Sequence, residues 1–237
     1  TQIKIWANYF KQYYPKTNLI HVWQKDLGFR AAAARNLAVE RAREALEIKA
    51  LIFLDGDCVA PPFFIQNHLA LLASKTMVAG GRGLLSQSYT NRLEDLANSQ
   101  SPGEIVRQLE RFKFRYRLWL TKACDRYMAM GSFPSPVFNP LRDFRSKNEG
   151  RVRTCNLSLW LEDFMRVDGF DQSFVGWGLE DTEFAVRLIS TGVKVRSGRF
   201  ATNVFHLWHP ERSRSEFQLN AERLSRSRKA VTLATRD

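Results

Sequence analysis

Residues 50–57 read Ala50-Leu51-Ile52-Phe53-Leu54-Asp55-Gly56-Asp57, five apolar residues that stop at two carboxylates one residue apart. A short continuous apolar run bounded by a turn pair is the pattern of a strand covered on both faces. Strands of that kind belong to open α/β sheets, whose ligands gather outside the carboxyl ends. Asp55 and Asp57 therefore fall where a site belongs, and two carboxylates there can hold a divalent cation with phosphate oxygens completing its shell. Asp-Gly is equally a common turn pair, so the chemistry has to be argued from the rest of the chain.

On the N-terminal side, Gly28 to about Lys49 is rich in Ala, Leu, Glu and Arg and reads as a helix, with Ala34, Ala38, Ala42 and Ala45 able to share a face. Asn18–Val22 reads as a short strand before it. On the other side, Pro61-Pro62 opens a helix that runs to about Ser74, and Thr76–Ala79 is a strand ending at Gly80-Gly81. Strand and helix alternate, which predicts an α/β fold with a mainly parallel, mixed sheet flanked by helices. The middle differs: Glu104–Lys122 is a basic, aromatic-rich helix, and Ser132–Gly150, with Pro134, Pro136 and Pro140, reads as a long loop of the lid or binding kind. Order resumes with a strand over Arg151–Leu159, a short helix from Glu162, and a longer one over Leu179–Thr191 closed by Gly192. Strands at Val193–Val195 and Ala201–Leu207 follow, and Glu211–Lys229 reads as a solvated basic helix. The expected division is one catalytic domain over residues 1–210, in segments 1–85, 86–150 and 151–210, with residues 211–237 as a basic tail.

Hydrophobic residues at 44% and charged residues at 25% fit a globular protein and exclude a disordered one. No uncharged apolar run approaches the roughly 18 residues of a membrane span, and the start of the chain carries no signal-peptide pattern. Cys58, Cys124 and Cys155 are dispersed, which argues against a disulfide framework or a thiolate zinc site and for a reducing, cytoplasmic setting. The net charge of +12 favours anionic partners: a phosphate-bearing substrate, an anionic membrane surface or nucleic acid.

Two further stretches carry chemistry. In Gly176-Trp177-Gly178-Leu179-Glu180-Asp181 an acidic pair sits where a helix begins. One carboxylate there can simply cap the helix. Capping explains Gly-Trp-Gly poorly, whereas an indole in a glycine-lined turn can stack a sugar ring and the carboxylate beside it can accept a hydroxyl proton. His206-Leu207-Trp208-His209 holds two of the four histidines, and imidazole is a common ligand of transition metals. The pair converges only if the strand ends between them, which Pro210 favours; otherwise they are one buried and one exposed histidine with nothing in common.

Together these motifs resemble the family-2 glycosyltransferases. Trp23 to Arg30 followed by Ala34-Arg35-Asn36 is similar to their nucleotide-sugar segment, and Phe53 to Asp57 followed by Ala60-Pro61 to their metal-binding DxD turn. Asp168-Gly169-Phe170-Asp171 and then Gly176 to Asp181 resemble the acceptor segment of chondroitin-polymerase-type enzymes and of β-1,4-galactosyltransferases. The resemblance implies a GT-A, Rossmann-like fold. It implies that Arg30, Arg35 and Asn36 contact base, ribose or diphosphate together with Asp55, and that Asn156, Trp177 and Gly178 line the substrate pocket. It further implies that Asp57 with His206 or His209, or both, holds Mn²⁺ (or Mg²⁺), that Asp181 is the general base and that Glu180 orients the acceptor. Such enzymes open with two strands that precede the segment seen at Asn18, and those first strands are missing from this sequence.

The expected function is inverting transfer of a sugar from a nucleotide-sugar, UDP by resemblance, to a saccharide or glycolipid acceptor, in the cytoplasm or peripherally at the inner face of the membrane. The competing classes are a basic nucleic-acid- or membrane-binding module built on Glu104–Lys122, a sugar nucleotidyltransferase, and an inactive domain of the same fold. Against nucleic acid stand Asp55, Asp57, Glu180 and Asp181, which repel phosphates unless a metal lies between.

Overall fold

In the computed structural model, which describes residues 7–8, 10–12, 14–99, 111–125, 134–211 and 213–234, the opening apolar run forms β1 (Ala50–Leu54). It is preceded by α1 (Ala31–Ala45) and followed by β2 (Cys58–Val59), α2 (Phe64–Leu71), β3 (Thr76–Ala79) and β4 (Arg82–Leu84). Then come α3 (Gln87–Ser99), α4 (Phe112–Leu120), α5 (Asn139–Asp143), β5 (Asn156–Trp160) and α6 (Leu161–Arg166). The chain continues through α7 (Glu180–Ser190), β6 (Lys194–Ser197), β7 (Val204–His206) and α8 (Phe217–Ala234).

The strands make two sheets, one of four strands in the order β1-β5-β3-β6 and one of three in the order β2-β7-β4. Alternation of strand and helix predicts mainly parallel pairing, but the described strands pair both ways. The long excursion after β4 brings β5 back in the opposite direction, so it lies antiparallel to both β1 and β3, while β3–β6 and β4–β7 are parallel. Between the sheet and its helices Met77, Leu157, Leu159, Phe184, Leu188 and Val195 are all 0% exposed. Phe164 and Phe170 complete the cluster, the Phe170 and Phe184 rings lying 4.1 Å apart. This core fixes the two places that matter below, the carboxyl end of β1 and the start of α7.

Several expectations need correction. Asn18–Val22 is not a strand: among the described residues it has no ladder partner, and Leu19 and Ile20 are exposed. In α1 the buried face carries Ala32 and Val39, while Ala34 and Ala38 line an open cleft. Within 132–150 the described part is not an unstructured loop, because Pro136–Phe138 and Glu149–Arg151 form 3₁₀ turns on either side of α5. Pro136 and Pro140 sit at first-turn positions, where a missing N–H costs nothing. Of the basic helix only α4 is described, and residues 104–110 lie outside the described residues. The basic tail is helical but is not a solvated appendage: Leu224 is buried against α7, Asn220 is 0% exposed, and Ser227 donates to Glu183 at 2.9 Å.

Candidate active site

β1 ends at Leu54, and the turn it releases presents Asp55 and Asp57 in different directions. Asp55 receives Nη2 of Arg35, from the cleft face of α1, at 3.0 Å. Arg35 also gives Nη1 to Glu180 at 3.3 Å, so one guanidinium joins the strand-end acid to the helix-start acid. Its side chain is 15% exposed, and an ion pair so shielded is screened far less than a surface one.

Asp57 faces the histidines instead. β2 pairs with β7 so that Cys58 lies opposite His206, and the strand ends there, which lets His209 turn back. His206 Nε2 is 3.5 Å from one oxygen of Asp57 and His209 Nε2 is 3.5 Å from the other. Nδ1 of each ring lies 2.8 Å from a backbone carbonyl, of Leu207 and of Pro210. A carbonyl can only accept, so Nδ1 of each ring donates and Nε2 of each ring is the atom turned toward the carboxylate. A carbonyl behind the distal nitrogen is the usual support of a metal-bound imidazole, and here both Nε2 atoms and a carboxylate converge. The donor set therefore fits a divalent cation. Cys58, which the sequence reading passed over, adds a sulfur: Asp57, Cys58 and His206 offer ligand atoms within 4.8 Å of one another.

The start of α7 is shaped by backbone. Gly176, Gly178 and Leu179 all lie at positive φ (76°, 106° and 74°), a region only glycine enters freely. A Cβ on Gly176 would come within 2.7 Å of Glu216, and one on Gly178 within 3.4 Å of the Phe217 ring. The loop is thus moulded against the first residues of α8. Phe217 stacks on Trp177 (centroids 6.4 Å, 24°), Arg214 stands over the same indole at 5.3 Å, and the Asn220 amide donates to the carbonyls of Val175 and Gly178 at 3.1 Å each. Trp177 remains 39% exposed and is shared between the cleft and these neighbours. Nothing in the spacing of the sequence marks Arg214, Phe217 or Asn220 as site residues, since their partners lie about forty positions upstream.

Glu180 and Asp181 both have carboxyls held above the ordinary range. For Glu180 the cause is burial, then the neighbouring charge of Asp181, opposed by Arg35. For Asp181 it is burial, opposed by Arg153 and by the Thr182 backbone.

A cleft of about 990 Å³ runs past Ala34, Arg35, Asp55, Asp57, Arg82, Trp177, His206 and His209, with Arg214 at its rim. Glu180 and Asp181 are not in its wall; Glu180 touches it through Arg35. Three expected contacts are engaged elsewhere. Asn36 spends its amide on the backbone of Phe170, donating to its carbonyl at 2.8 Å and accepting from its N–H at 2.9 Å. Arg30 caps α1 and reaches the Leu27 carbonyl at 3.3 Å. Asn156 is 0% exposed beneath the cleft, where its amide N–H₂ donates to Gly81 and Thr202 and its oxygen accepts from His68 Nε2 at 2.9 Å. Ser158 donates to the other ring nitrogen of His68 at 2.8 Å, and burial holds that imidazole down at about 4.

Comparison with known proteins agrees with this geometry. Residues 137–210 match the domain family described as the N-terminal domain of galactosyltransferase. The chain is 29% identical over 222 residues to the validoxylamine A glucosyltransferase of Streptomyces hygroscopicus subsp. jinggangensis, covering 91% of this chain and 49% of that protein. It is 27% identical to the chondroitin synthase of Escherichia coli over 76% of this chain and 25% of that one, and 25% identical to the hyaluronan synthase of Pasteurella multocida over 77% and 18%. The chain thus spans about half the length, or less, of these relatives. Taken with the mixed α/β architecture and the acids at the carboxyl end of β1, these similarities support a glycosyltransferase domain of GT-A type, similar to the family-2 kind.

Proposed function

We propose that the domain is a metal-dependent, inverting transferase that moves a sugar from a nucleoside-diphosphate donor, UDP by resemblance, onto a hydroxyl of a saccharide or glycolipid. The observation that carries this reading is the convergence of two imidazole Nε2 atoms on Asp57 at the mouth of a cleft lined by Arg35 and Arg82. In this reading Asp57, His206 and His209 hold the cation, and Arg35 and Arg82 face the diphosphate. Mn²⁺ or Mg²⁺ bound there would supply charge neutralisation to a departing diphosphate.

Every other step belongs to the protein's own side chains. Trp177 offers its free edge to a sugar. Asp181, with a carboxyl raised by burial, takes the proton of the attacking hydroxyl, since a base poised toward neutrality matches that task. Glu180, fixed by Arg35, orients the acceptor. Glu180 meets the cleft through Arg35 while the imidazoles line it directly, so in this reading acid and cation are supplied from different elements, as inversion requires.

Calorimetric titration of UDP tests the donor half. Binding is expected with Mn²⁺, is expected to vanish in EDTA, and is expected to drop at least tenfold in Asp57→Ala. Equal binding with and without metal would overturn the assignment of Asp57.

A further inference from the structure

The segment between Ser135 and Phe144 shows water more hydrophobic surface than its neighbours: Val137 is 81% exposed, Leu141 75%, Phe144 64% and Phe138 45%. These residues are not loose. In the middle of the segment Arg142 is 6% exposed and donates through Nη1 to the carbonyls of Ser197 and Arg199, at 3.0 and 2.7 Å. Asp143 is clamped by Nε and Nη2 of Arg196, at 2.7 and 2.8 Å, and Arg151 holds the Phe144 carbonyl at 2.6 Å. The chain is thus riveted to the β6 edge by its polar groups, with its apolar side chains turned outward. The loop it is riveted to presents Phe200, itself 45% exposed.

The charge around this ledge has one sign. Arg145 lies over the Phe144 ring at 5.5 Å, Arg199 over the Phe200 ring at 5.0 Å, and exposed Lys147 follows. Among the described residues none of these three cations is in an ion pair. The acids nearby are neutralised, Asp143 by Arg196 and Glu149 by Arg228 at 2.8 Å. Exposed apolar side chains rimmed by long cations are the mark of a surface that sits in the headgroup layer of a bilayer, the rings entering the acyl boundary and the guanidinium groups staying with the phosphates. A protein partner would need a matching acidic, apolar surface and a patch of roughly 800 Å² a side, about 20–30 residues, more than this short ledge offers. Among the described residues no helix is long and apolar enough to cross a membrane, so contact through this ledge would be peripheral.

We propose that Val137–Phe144, with Phe200, Arg145, Lys147 and Arg199, docks the domain on an anionic lipid surface. This goes beyond the transferase reading and does not depend on it, because docking needs neither metal nor sugar donor. It also places lipid contact on a different element from the basic helix singled out by the sequence.

Flotation of the full chain with vesicles of phosphatidylcholine, alone or doped with phosphatidylglycerol, tests it. Binding is expected only with phosphatidylglycerol and is expected to weaken as salt rises, since headgroup attraction falls off within a Debye length. The double variant Leu141→Ser/Phe144→Ser, at two exposed positions, is expected to weaken binding at least tenfold, and Arg145→Glu/Lys147→Glu/Arg199→Glu to abolish it, both with an unchanged thermal midpoint. Arg117→Glu on α4 is expected to leave it intact. Wild-type binding to neither vesicle would overturn the proposal. So would loss in Arg117→Glu with retention in the ledge variants, or self-association of the wild type that the Leu141→Ser/Phe144→Ser change removes while no vesicle is bound.

Discussion

Asp181 holds a carboxylate where a protein would rather hold a neutral group, and that tension can be measured. Its folded-state carboxyl is raised by burial, so the native state binds a proton more tightly than the unfolded chain, and stability falls as pH rises through the raised range. Asp181→Asn is therefore expected to melt at a higher temperature than the wild type at neutral pH, the gap closing as the solution is acidified. In the same variant kcat is expected to fall by about 10²–10⁴-fold while donor affinity stays within about twofold, the signature of a lost proton acceptor rather than a lost binding group. In the wild type the rate is expected to rise with pH on the acid side as this carboxyl ionises. His68 makes the opposite case. Its folded value of about 4 lies below its ordinary 6.5, so its contribution is complete above 6.5 and is lost as pH falls toward 4. Equilibrium unfolding across that range is expected to show a loss of up to about 3 kcal/mol that His68→Gln lacks.

At the scale of elements the decisive contacts join pieces far apart in sequence. Asn220 of α8 holds two carbonyls of the loop that launches α7, and a buried amide removed there leaves both without a donor. Asn220→Ala is expected to cost about 1–3 kcal/mol in denaturant unfolding and to raise the acceptor KM more than the donor KM. What the sequence made legible divides along this line. β1, β3 and α7 are local statements, an apolar run or a periodic face, and each is found within a residue or two of its expected place. Asn18–Val22 looked equally strand-like, but a strand is a pairing and no described neighbour pairs with it. The acids, the glycines and the histidine pair were readable because the chemistry limits which residue types can serve. The engagements of Asn36 and Asn156 were not, because an amide reads alike whether it faces a ligand or a carbonyl. Phe217 and Asn220 were invisible for a related reason: a basic helix does not announce which of its faces meets a glycine turn.

For the whole molecule, the cleft lies between groups supplied by α1, β1, β4, β7 and the segment leading into α8, so a ligand that fills it ties these elements together. Ligand that binds only the folded state stabilises it by mass action, about 2.7 kcal/mol at a hundredfold excess over Kd. For a domain of this size that is roughly 5–10 °C in a thermal melt. UDP with Mn²⁺ is expected to give such a shift, with EDTA abolishing it and Asp57→Ala insensitive to either addition.

Arg35 closes the account in a different currency, that of linkage between ligands. One guanidinium serves both Asp55 and Glu180, so the two sides of the site share a single counterion. A diphosphate that draws Arg35 toward itself leaves Glu180 free to meet a hydroxyl, and a site still without its donor keeps that carboxylate occupied. Affinities linked in this way are linked reciprocally. Under the proposed function, donor is therefore expected to raise acceptor affinity, and acceptor to raise donor affinity by the same factor, which paired titrations would read.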